Sequence, residues 1–159
     1  MQETPFLKTM LMKFNMTPSE SQAILFEQLE EFARSKSDFP LFIISGYAGT
    51  GKTSVLGAYV RALKHYKVKT KLLAPTGRAA KVFSNKSNQD ALTIHKQIYR
   101  RKSKVDITSG LDLQPNLYKN TMFFVDEASM IGEFTKTKEG GVSARNLLDD
   151  LLEYVFSGV

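Results

Sequence analysis

The sequence predicts an α/β fold in which helices flank a parallel sheet. Three short apolar runs have the composition of buried strands, namely Leu41–Ser45, Thr70–Ala74 and Thr121–Val125. Segments with apolar residues at helical spacing lie between these runs. Strands that alternate with helices are typical of parallel sheets, because each crossover between parallel strands needs a long connection.

Size and composition indicate one globular domain. The 159 residues are 42% hydrophobic, which is enough for a substantial core. No apolar run approaches the length of a membrane span and the N-terminus lacks a signal-peptide layout, so we expect no membrane contact and a cytoplasmic protein. The absence of cysteine excludes a disulfide framework and any cysteine-ligated metal site.

The first predicted helix runs from Pro18 to about Arg34. Thr17 is the expected N-cap, Pro18 suits the first helical position, and Glu20 completes a capping box. The sequence SKSDFP then ends the helix ahead of the strand Leu41–Ser45.

After that strand, the pattern predicts a helix from Thr53 to about His65 and then the strand Thr70–Ala74. A short helix follows from the turn at Pro75 and Gly77 through Phe83, and a further helix is predicted over Leu92–Arg101. A loop or small hairpin over Arg100–Asn120 leads to the strand Thr121–Val125. The last elements are a loop over Gly132–Ala144 and a closing helix within residues 143–156.

The loop after the first predicted strand has the chemistry of a phosphate-binding loop. The spacing Gly46-x-x-x-x-Gly51-Lys52-Thr53 fits the phosphate-loop pattern, whose glycines let amides point at an anion beside a helix N-terminus. Lys52 is expected to neutralise the β- and γ-phosphates of a nucleotide, and the Thr53 hydroxyl to hold Mg²⁺. A glycine-rich turn that binds nothing is the alternative. The predicted nucleotide-binding residues are Gly46, Ala48, Gly49, Thr50, Gly51, Lys52, Thr53 and Ser54.

Two acids follow the third predicted strand. Asp126 and Glu127 come directly after the apolar run MFFV, and α/β sheets gather their ligand sites at the carboxyl ends of strands. Asp126 suits a role at Mg²⁺, and Glu127 could activate the water that attacks the γ-phosphate. An acidic N-cap of the next helix is the alternative.

Positive charge is concentrated in the middle of the chain. The net charge is +6, but residues 61–104 hold 13 lysines and arginines against one acid, Asp90. A basic segment beside a phosphate-binding loop indicates a polyanionic partner, most simply nucleic acid. A solvated, lysine-rich helix surface is the alternative.

Four segments together resemble a known family. GYAGTGKT, LLAPTGRAAKVF, TIH and FFVDEASMI occur in the order and approximate spacing of superfamily 1B DNA helicases, particularly the RecD-like group that includes the exodeoxyribonuclease V alpha subunit. The resemblance implies a P-loop NTPase with a RecA-like sheet, the first motor domain of an ATP- and Mg²⁺-dependent translocase. Such a motor moves 5′ to 3′ on single-stranded DNA and serves DNA repair and recombination.

By position, the resemblance assigns roles to residues outside the phosphate loop. Gln22 matches the glutamine that recognises adenine, since an amide can pair with a ring nitrogen and the exocyclic amine. An exposed helical glutamine is the alternative. Thr93 and His95 match a DNA-contacting motif, although a lone histidine is more often packed. A further motif lies along the DNA backbone, and it matches Pro75, Thr76, Gly77 and Arg78.

The resemblance makes residues 1–159 one RecA-like domain with a short insertion at about 100–120, where relatives carry a strand-separating pin or small domain. Tyr99 and Tyr118, at the ends of this insertion, either stack on bases or anchor it. Relatives continue into a strand with a Gly-Asp-x-x-Gln motif and a second RecA-like domain. We therefore expect this chain to be truncated before that strand and to bind nucleotide without unwinding DNA, with any helicase or nuclease partner subunits unknown.

In the RecA-like order, the strand that is expected to be missing lies between Leu41–Ser45 and Thr121–Val125. Its absence predicts an open position in the sheet unless the two flanking strands pair directly. Two other functions stay open from the residues alone. One is a small P-loop kinase, although no lid-like pair of arginines lies near the C-terminus. The other is a nucleotide-binding module that does not hydrolyse.

Overall fold

The computed structural model of the chain describes residues 4–101, 111–132 and 146–158. Within them the helices are α1 Pro5–Phe14, α2 Glu20–Ala33, α3 Lys52–His65, α4 Gly77–Ser87, α5 Ile94–Ile98 and α6 Leu147–Phe156. The strands are β1 Lys69–Ala74, β2 Ala91–Thr93, β3 Tyr99–Arg101, β4 Leu111–Leu113 and β5 Thr121–Val125, and a 3₁₀ turn spans Ala128–Met130. No helix in these ranges is long and apolar enough to cross a membrane.

β1 is the centre of a three-stranded parallel sheet with the order β2-β1-β5. Its Leu73 pairs with Leu92 of β2 on one side and with Val125 of β5 on the other. Helices α1 to α4 pack on one face, in an apolar cluster that includes Leu72 and Phe124. Helices α5 and α6 pack on the other face, around Leu73. The predicted α/β fold with helices on both faces is confirmed.

The segment that precedes the phosphate loop departs from the prediction. Leu41–Ser45 joins no strand ladder, so the predicted first strand is wrong. Its side chains alternate between exposed and half-buried, as in an extended chain, and Phe42 and Ile44 pack against the core on the α1 to α4 side. A ladder needs a backbone partner, and none of the described residues gives this segment one.

The position beside β5 is open in the part of the chain that the structure describes. Among the described residues, β5 pairs with a strand on one edge only. The alternative in which Leu41–Ser45 and Thr121–Val125 pair directly is wrong. The expected strand order leaves one open position between the two segments, and the backbone of Leu41–Ser45 does not move in to pair with β5.

The start of α2 differs from the prediction by two residues. TPSESQ contains two overlapping capping boxes, and the structure uses the second: Ser19 is the N-cap instead of Thr17, and Gln22 replaces Glu20 as its partner. The Gln22 backbone N–H donates to Ser19 Oγ at 3.4 Å, and the Ser19 backbone N–H donates to Gln22 Oε1 at 3.0 Å. Both bonds satisfy amides that a helix N-terminus leaves free.

Three more helices differ from the pattern. The sequence leaves α1 unassigned, yet Thr4 caps it and its Leu7, Met10 and Phe14 are buried. The predicted helix over Leu92–Arg101 is wrong at both ends, since β2 precedes α5 and β3 follows it. Pairing with the free edge of β1 outweighs local helical spacing there. α4 also continues to Ser87, beyond its predicted end at Phe83.

The predicted small hairpin is confirmed where the chain is described. β3 and β4 pair antiparallel, with Tyr99 opposite Leu113. The Tyr99 hydroxyl donates to Asp150 Oδ2 at 2.6 Å, and Lys71 Nζ lies 4.2 Å from the centre of the Tyr118 ring. Both tyrosines thus anchor the segment to the domain. The predicted loop at 133–144 and the first part of the closing helix lie outside the described residues.

The C-terminus of α3 contains a lysine in the left-handed region. Lys67 has φ of 59° within a Schellman motif, in which Val68 N donates to Leu63 O and Lys67 N donates to Lys64 O. Replacement of Lys67 by glycine is expected to stabilise the protein by roughly 0.5 to 1 kcal/mol, because glycine adopts this conformation without steric cost. Chemical denaturation measures the change. Lys64→Gly, within the helix, is the control and should destabilise by about 1 kcal/mol; equal effects would contradict the prediction.

Candidate nucleotide-binding site

The phosphate loop lies at the carboxyl edge of the sheet. The C-terminus of α3 leads through residues 66–68 directly into β1, and α3 packs against the sheet, where its Tyr59 ring meets Phe124 at 5.7 Å. α3 and β1 are each about 20 Å long and run in opposite directions. The first residue of α3, Lys52, is therefore at the same edge as the last residue of β1, Ala74.

The backbone of the loop takes conformations that glycine permits. Gly49 has φ of 80° and Gly51, the N-cap of α3, has φ of 85°. The first intrahelical bonds run from Ser54 N and Val55 N to Gly51 O, so the amides of Lys52 and Thr53 have no partner within the helix. Free amides at a helix N-terminus attract anions, as the phosphate-loop prediction requires.

The Lys52 side chain folds over the loop that precedes it. Its Nζ donates to Gly46 O at 2.6 Å and to Tyr47 O at 2.8 Å. The Thr50 hydroxyl also donates to Tyr47 O, at 2.9 Å. An ammonium group thus sits directly at the mouth of the glycine-rich loop, where it would meet the phosphates of a nucleotide.

Gln22 reaches the same loop from α2. Its Nε2 donates to Thr50 O at 2.9 Å, while its Oε1 accepts from the Ser19 backbone. The amide also touches Gly51, since a Cβ at that position would lie 2.6 Å from Nε2. The left-handed φ of Gly51 favours glycine, and a side chain there would also displace the Gln22 amide.

The two acids lie at the carboxyl end of β5. Asp126 is 7% exposed, and its backbone N–H donates to Leu73 O at 3.0 Å, which extends the ladder with β1. Asp126 Oδ1 accepts from Glu127 N at 3.1 Å. Glu127 is exposed and has φ of 55°, a left-handed conformation that turns the chain sharply after the strand. No described cation forms an ion pair with Asp126.

The donor set fits a magnesium ion. Mg²⁺ prefers oxygen ligands, keeps several waters and usually takes one or two carboxylates together with substrate phosphates. The Thr53 hydroxyl in the first turn of α3 and the Asp126 carboxylate supply such oxygens at one edge of the sheet. A buried carboxylate without a paired side-chain cation in the described chain is also the environment in which a metal ion would supply the missing charge.

Residues predicted to contact DNA lie at this edge too. Ala74 of β1 pairs with Thr93 of β2, so the chain segments that follow both strands start side by side. Thr76 caps α4 by accepting from Ala79 N at 3.2 Å, and Thr93 caps α5 by accepting from Lys96 N at 3.3 Å. Each hydroxyl keeps its hydrogen for donation to another acceptor.

The other predicted DNA contacts differ in exposure. Gly77 and Arg78, in the first turn of α4, are exposed, whereas Pro75 is half-buried. His95 is half-buried as well, and its ring lies 5.6 Å from the Tyr99 ring. His95 therefore packs within the domain while part of its surface stays open.

A comparison with protein-family models matches residues 20–138 of the chain to an AAA domain. The chain belongs to the AAA domain family. The matched range contains α2, the phosphate loop, the whole parallel sheet and Asp126, which agrees with a P-loop nucleotide-binding domain. None of the curated proteins compared with the chain matches it.

One contact of this AAA domain site, and one cavity near it, are invisible to sequence patterns. The bond between Gln22 and Thr50 joins residues 28 positions apart, and only the shifted capping box could have pointed to the orientation of Gln22. A cavity of about 290 Å³ also borders the first turn of α3. It depends on α1, which the pattern does not assign, and is lined by Lys13, Phe14, Asn15, Met16, Ser54, Arg61 and Lys86.

Proposed function

We propose that this AAA domain is the ATP-driven motor domain of a DNA helicase or translocase that acts on single-stranded DNA. The observation that carries the proposal is the meeting of two kinds of site at one edge of the sheet. The phosphate loop and Asp126 stand beside two threonine-capped helix N-termini, at Thr76 and Thr93. A motor has to couple the two sites, because hydrolysis at one has to change the grip at the other, and adjacency shortens the set of contacts that carries the coupling.

The nucleotide half follows from the loop. Lys52 would neutralise the β- and γ-phosphates, and the free amides of α3 would bind them together with the loop residues, including Ala48 and Ser54. Mg²⁺, held by Thr53 and Asp126, would neutralise the charge that develops on the phosphates during hydrolysis. Glu127 is exposed directly beside Asp126, where it would accept the proton of the attacking water.

The DNA half follows from α4 and α5. A phosphate at the N-terminus of α4 would meet free amides, the Thr76 hydroxyl and the exposed Arg78 guanidinium. Thr93 and the exposed part of His95 would contact further phosphates along the DNA strand. Such contacts position the backbone without selecting a sequence, as a translocase requires. Movement from 5′ to 3′ is proposed from the resemblance to RecD-like helicases.

Replacement of Arg78 by alanine is expected to weaken binding of a single-stranded oligonucleotide several-fold for every base composition. One phosphate contact is lost, so the slope of log affinity against log salt should fall by roughly 0.7, the value for one charge on a single strand. Fluorescence anisotropy over a salt series measures both quantities. Lys8→Ala, which removes one positive charge from the exposed face of α1, is the control and should leave both unchanged. An Arg78 variant that behaves like the Lys8 variant would contradict the DNA role.

Hydrolysis assays separate the competing functions. DNA-stimulated release of phosphate from ATP supports the motor. ADP release that depends on a small phosphoryl acceptor would support a P-loop kinase instead. Nucleotide binding with no turnover, with or without DNA, would support a binding module. Loss of the DNA effect in Arg78→Ala but not in Lys8→Ala would tie the stimulation to α4.

A further inference from the structure

Gln22 is tied to the phosphate loop in a way that the proposed function does not use. Of the hydrogen bonds in the described chain, its Nε2 bond to Thr50 O is the only side-chain bond that joins the loop at residues 46–51 to an element other than α3. The loop otherwise bonds to itself and to α3, through the Lys52 side chain and through the Ser54 and Val55 amides, which donate to Gly51 O. The Gln22 amide therefore ties the loop to a second helix of the core.

The amide is held in place before any ligand arrives. Its Oε1 accepts from the Ser19 backbone, which fixes the side chain against the start of α2. α2 in turn is anchored by Phe26 and Leu29, which are 0% and 2% exposed in the core. A side chain held at both ends loses little entropy when it supports the loop.

The same amide nitrogen also lies close to Gly51. A Cβ added at residue 51 would lie 2.6 Å from Gln22 Nε2. Gln22 thus contacts the loop through van der Waals packing at Gly51 as well as through the carbonyl of Thr50. Both contacts lie immediately before Lys52, whose amide and ammonium face the phosphates.

We propose that Gln22 is a positioning residue that braces the phosphate loop, and that its contribution to nucleotide binding is independent of the base. The inference rests on the proposed function in one respect, since it takes the loop to be where a triphosphate binds. Both ends of the Gln22 amide already have protein partners, the Ser19 backbone N–H and the Thr50 carbonyl. Gln22 therefore supports the loop at the point where the phosphates of a nucleotide would bind.

Binding of three probes tests the proposal: Mg-ATP, Mg-GTP and Mg-tripolyphosphate, which has no base. Gln22→Ala is expected to weaken all three by the same factor, about 3- to 10-fold, the effect of losing one neutral hydrogen bond. Ser19→Ala removes the capping hydroxyl and keeps the backbone N–H that holds Oε1, so it should change each affinity less than about twofold. Gln28→Ala, on the exposed face of α2, is the matched control and should change none.

Amide hydrogen exchange of the ligand-free protein gives a readout that needs no ligand. Gln22→Ala should speed exchange at residues 48–52, while Gln28→Ala should not. Gln22→Glu keeps an acceptor for the Ser19 N–H but cannot donate to Thr50 O, so it should speed exchange as Gln22→Ala does.

The outcomes are distinguishable. A loss for Mg-ATP alone would make Gln22 a reader of adenine and overturn the proposal. Unchanged affinities and unchanged exchange would overturn it as well. If the unaltered protein binds none of the probes, the proposed nucleotide site is wrong, and the exchange data still decide whether Gln22 braces the loop.

Discussion

Replacement of Lys52 by alanine is expected to weaken binding of Mg-ATP by about 10- to 100-fold, which corresponds to the loss of one charge-assisted hydrogen bond of roughly 1.5 to 3 kcal/mol. The Lys52 ammonium is the only described side-chain cation that bonds to the loop, where it sits on the carbonyls of Gly46 and Tyr47. A triphosphate brings several negative charges to this point. Without Lys52, only the neutral amides of the loop and of α3 would face them.

Isothermal titration of Mg-ATP into the two proteins measures the loss. Lys64→Ala is the matched control, because it removes the same charge from the exposed, opposite end of the same helix. Its affinity should stay within about twofold of the original, since exposed charges separated by more than a Debye length of about 10 Å are largely screened. If Lys52→Ala binds as well as Lys64→Ala does, the loop is a structural turn and the nucleotide assignment fails.

The parts of this site that the sequence predicts share one property: they are local. Gly49 and Gly51 have the left-handed φ that the phosphate-loop pattern requires, and α3 begins at Lys52, one residue before the predicted start at Thr53. Asp126 ends a strand because the apolar run before it pairs with β1. In each case a short stretch carries both the conformational preference and the chemistry, so neighbours in the chain are sufficient to predict it.

The errors arise where distant backbone decides. Leu41–Ser45 has the composition of a strand and the alternating burial of one, but strand pairing depends on a neighbour that its own residues do not encode. The helix predicted over Leu92–Arg101 fails for the opposite reason, since the edge of β1 recruits Ala91–Thr93 into the sheet. Ser19 is the cap instead of Thr17, and its partner Gln22 also bonds to Thr50, a contact 28 residues away that no local pattern encodes.

A glycine inside α3 shows the same dependence on tertiary contacts, and its replacement has the largest expected effect on stability. Gly57 is buried at the crossing of α3 and α4. A Cβ there would lie 2.6 Å from Lys86 O and 2.9 Å from Lys86 C, which are backbone atoms that cannot rotate away. The same Cβ would come within 3.2 Å of Arg61 Nη1.

Arg61 makes this crossing sensitive. Its guanidinium donates to Lys86 O near the end of α4 and, at 2.6 Å, to Lys13 O near the end of α1. One cation thus stabilises the carbonyl ends of two helices, where their dipoles favour positive charge. Burial lowers the pKa of the Arg61 guanidinium, although an arginine stays charged at neutral pH. Any shift of Lys86 away from α3 breaks one of these bonds.

Gly57→Ala is therefore expected to destabilise the protein by about 2 to 4 kcal/mol. Helix propensity alone would favour alanine by about 1 kcal/mol, but overpacking costs roughly 1 to 3 and the lost bond of Arg61 about 1.5 to 3 kcal/mol. Gly77→Ala is the matched control, since a Cβ at the first position of α4 meets no atom within 4 Å. Denaturant unfolding should show that variant to be as stable as the original or more stable. If both glycines tolerate alanine equally, α3 and α4 do not cross at Gly57, and the relative placement of the phosphate loop and Thr76 through these two helices loses its basis.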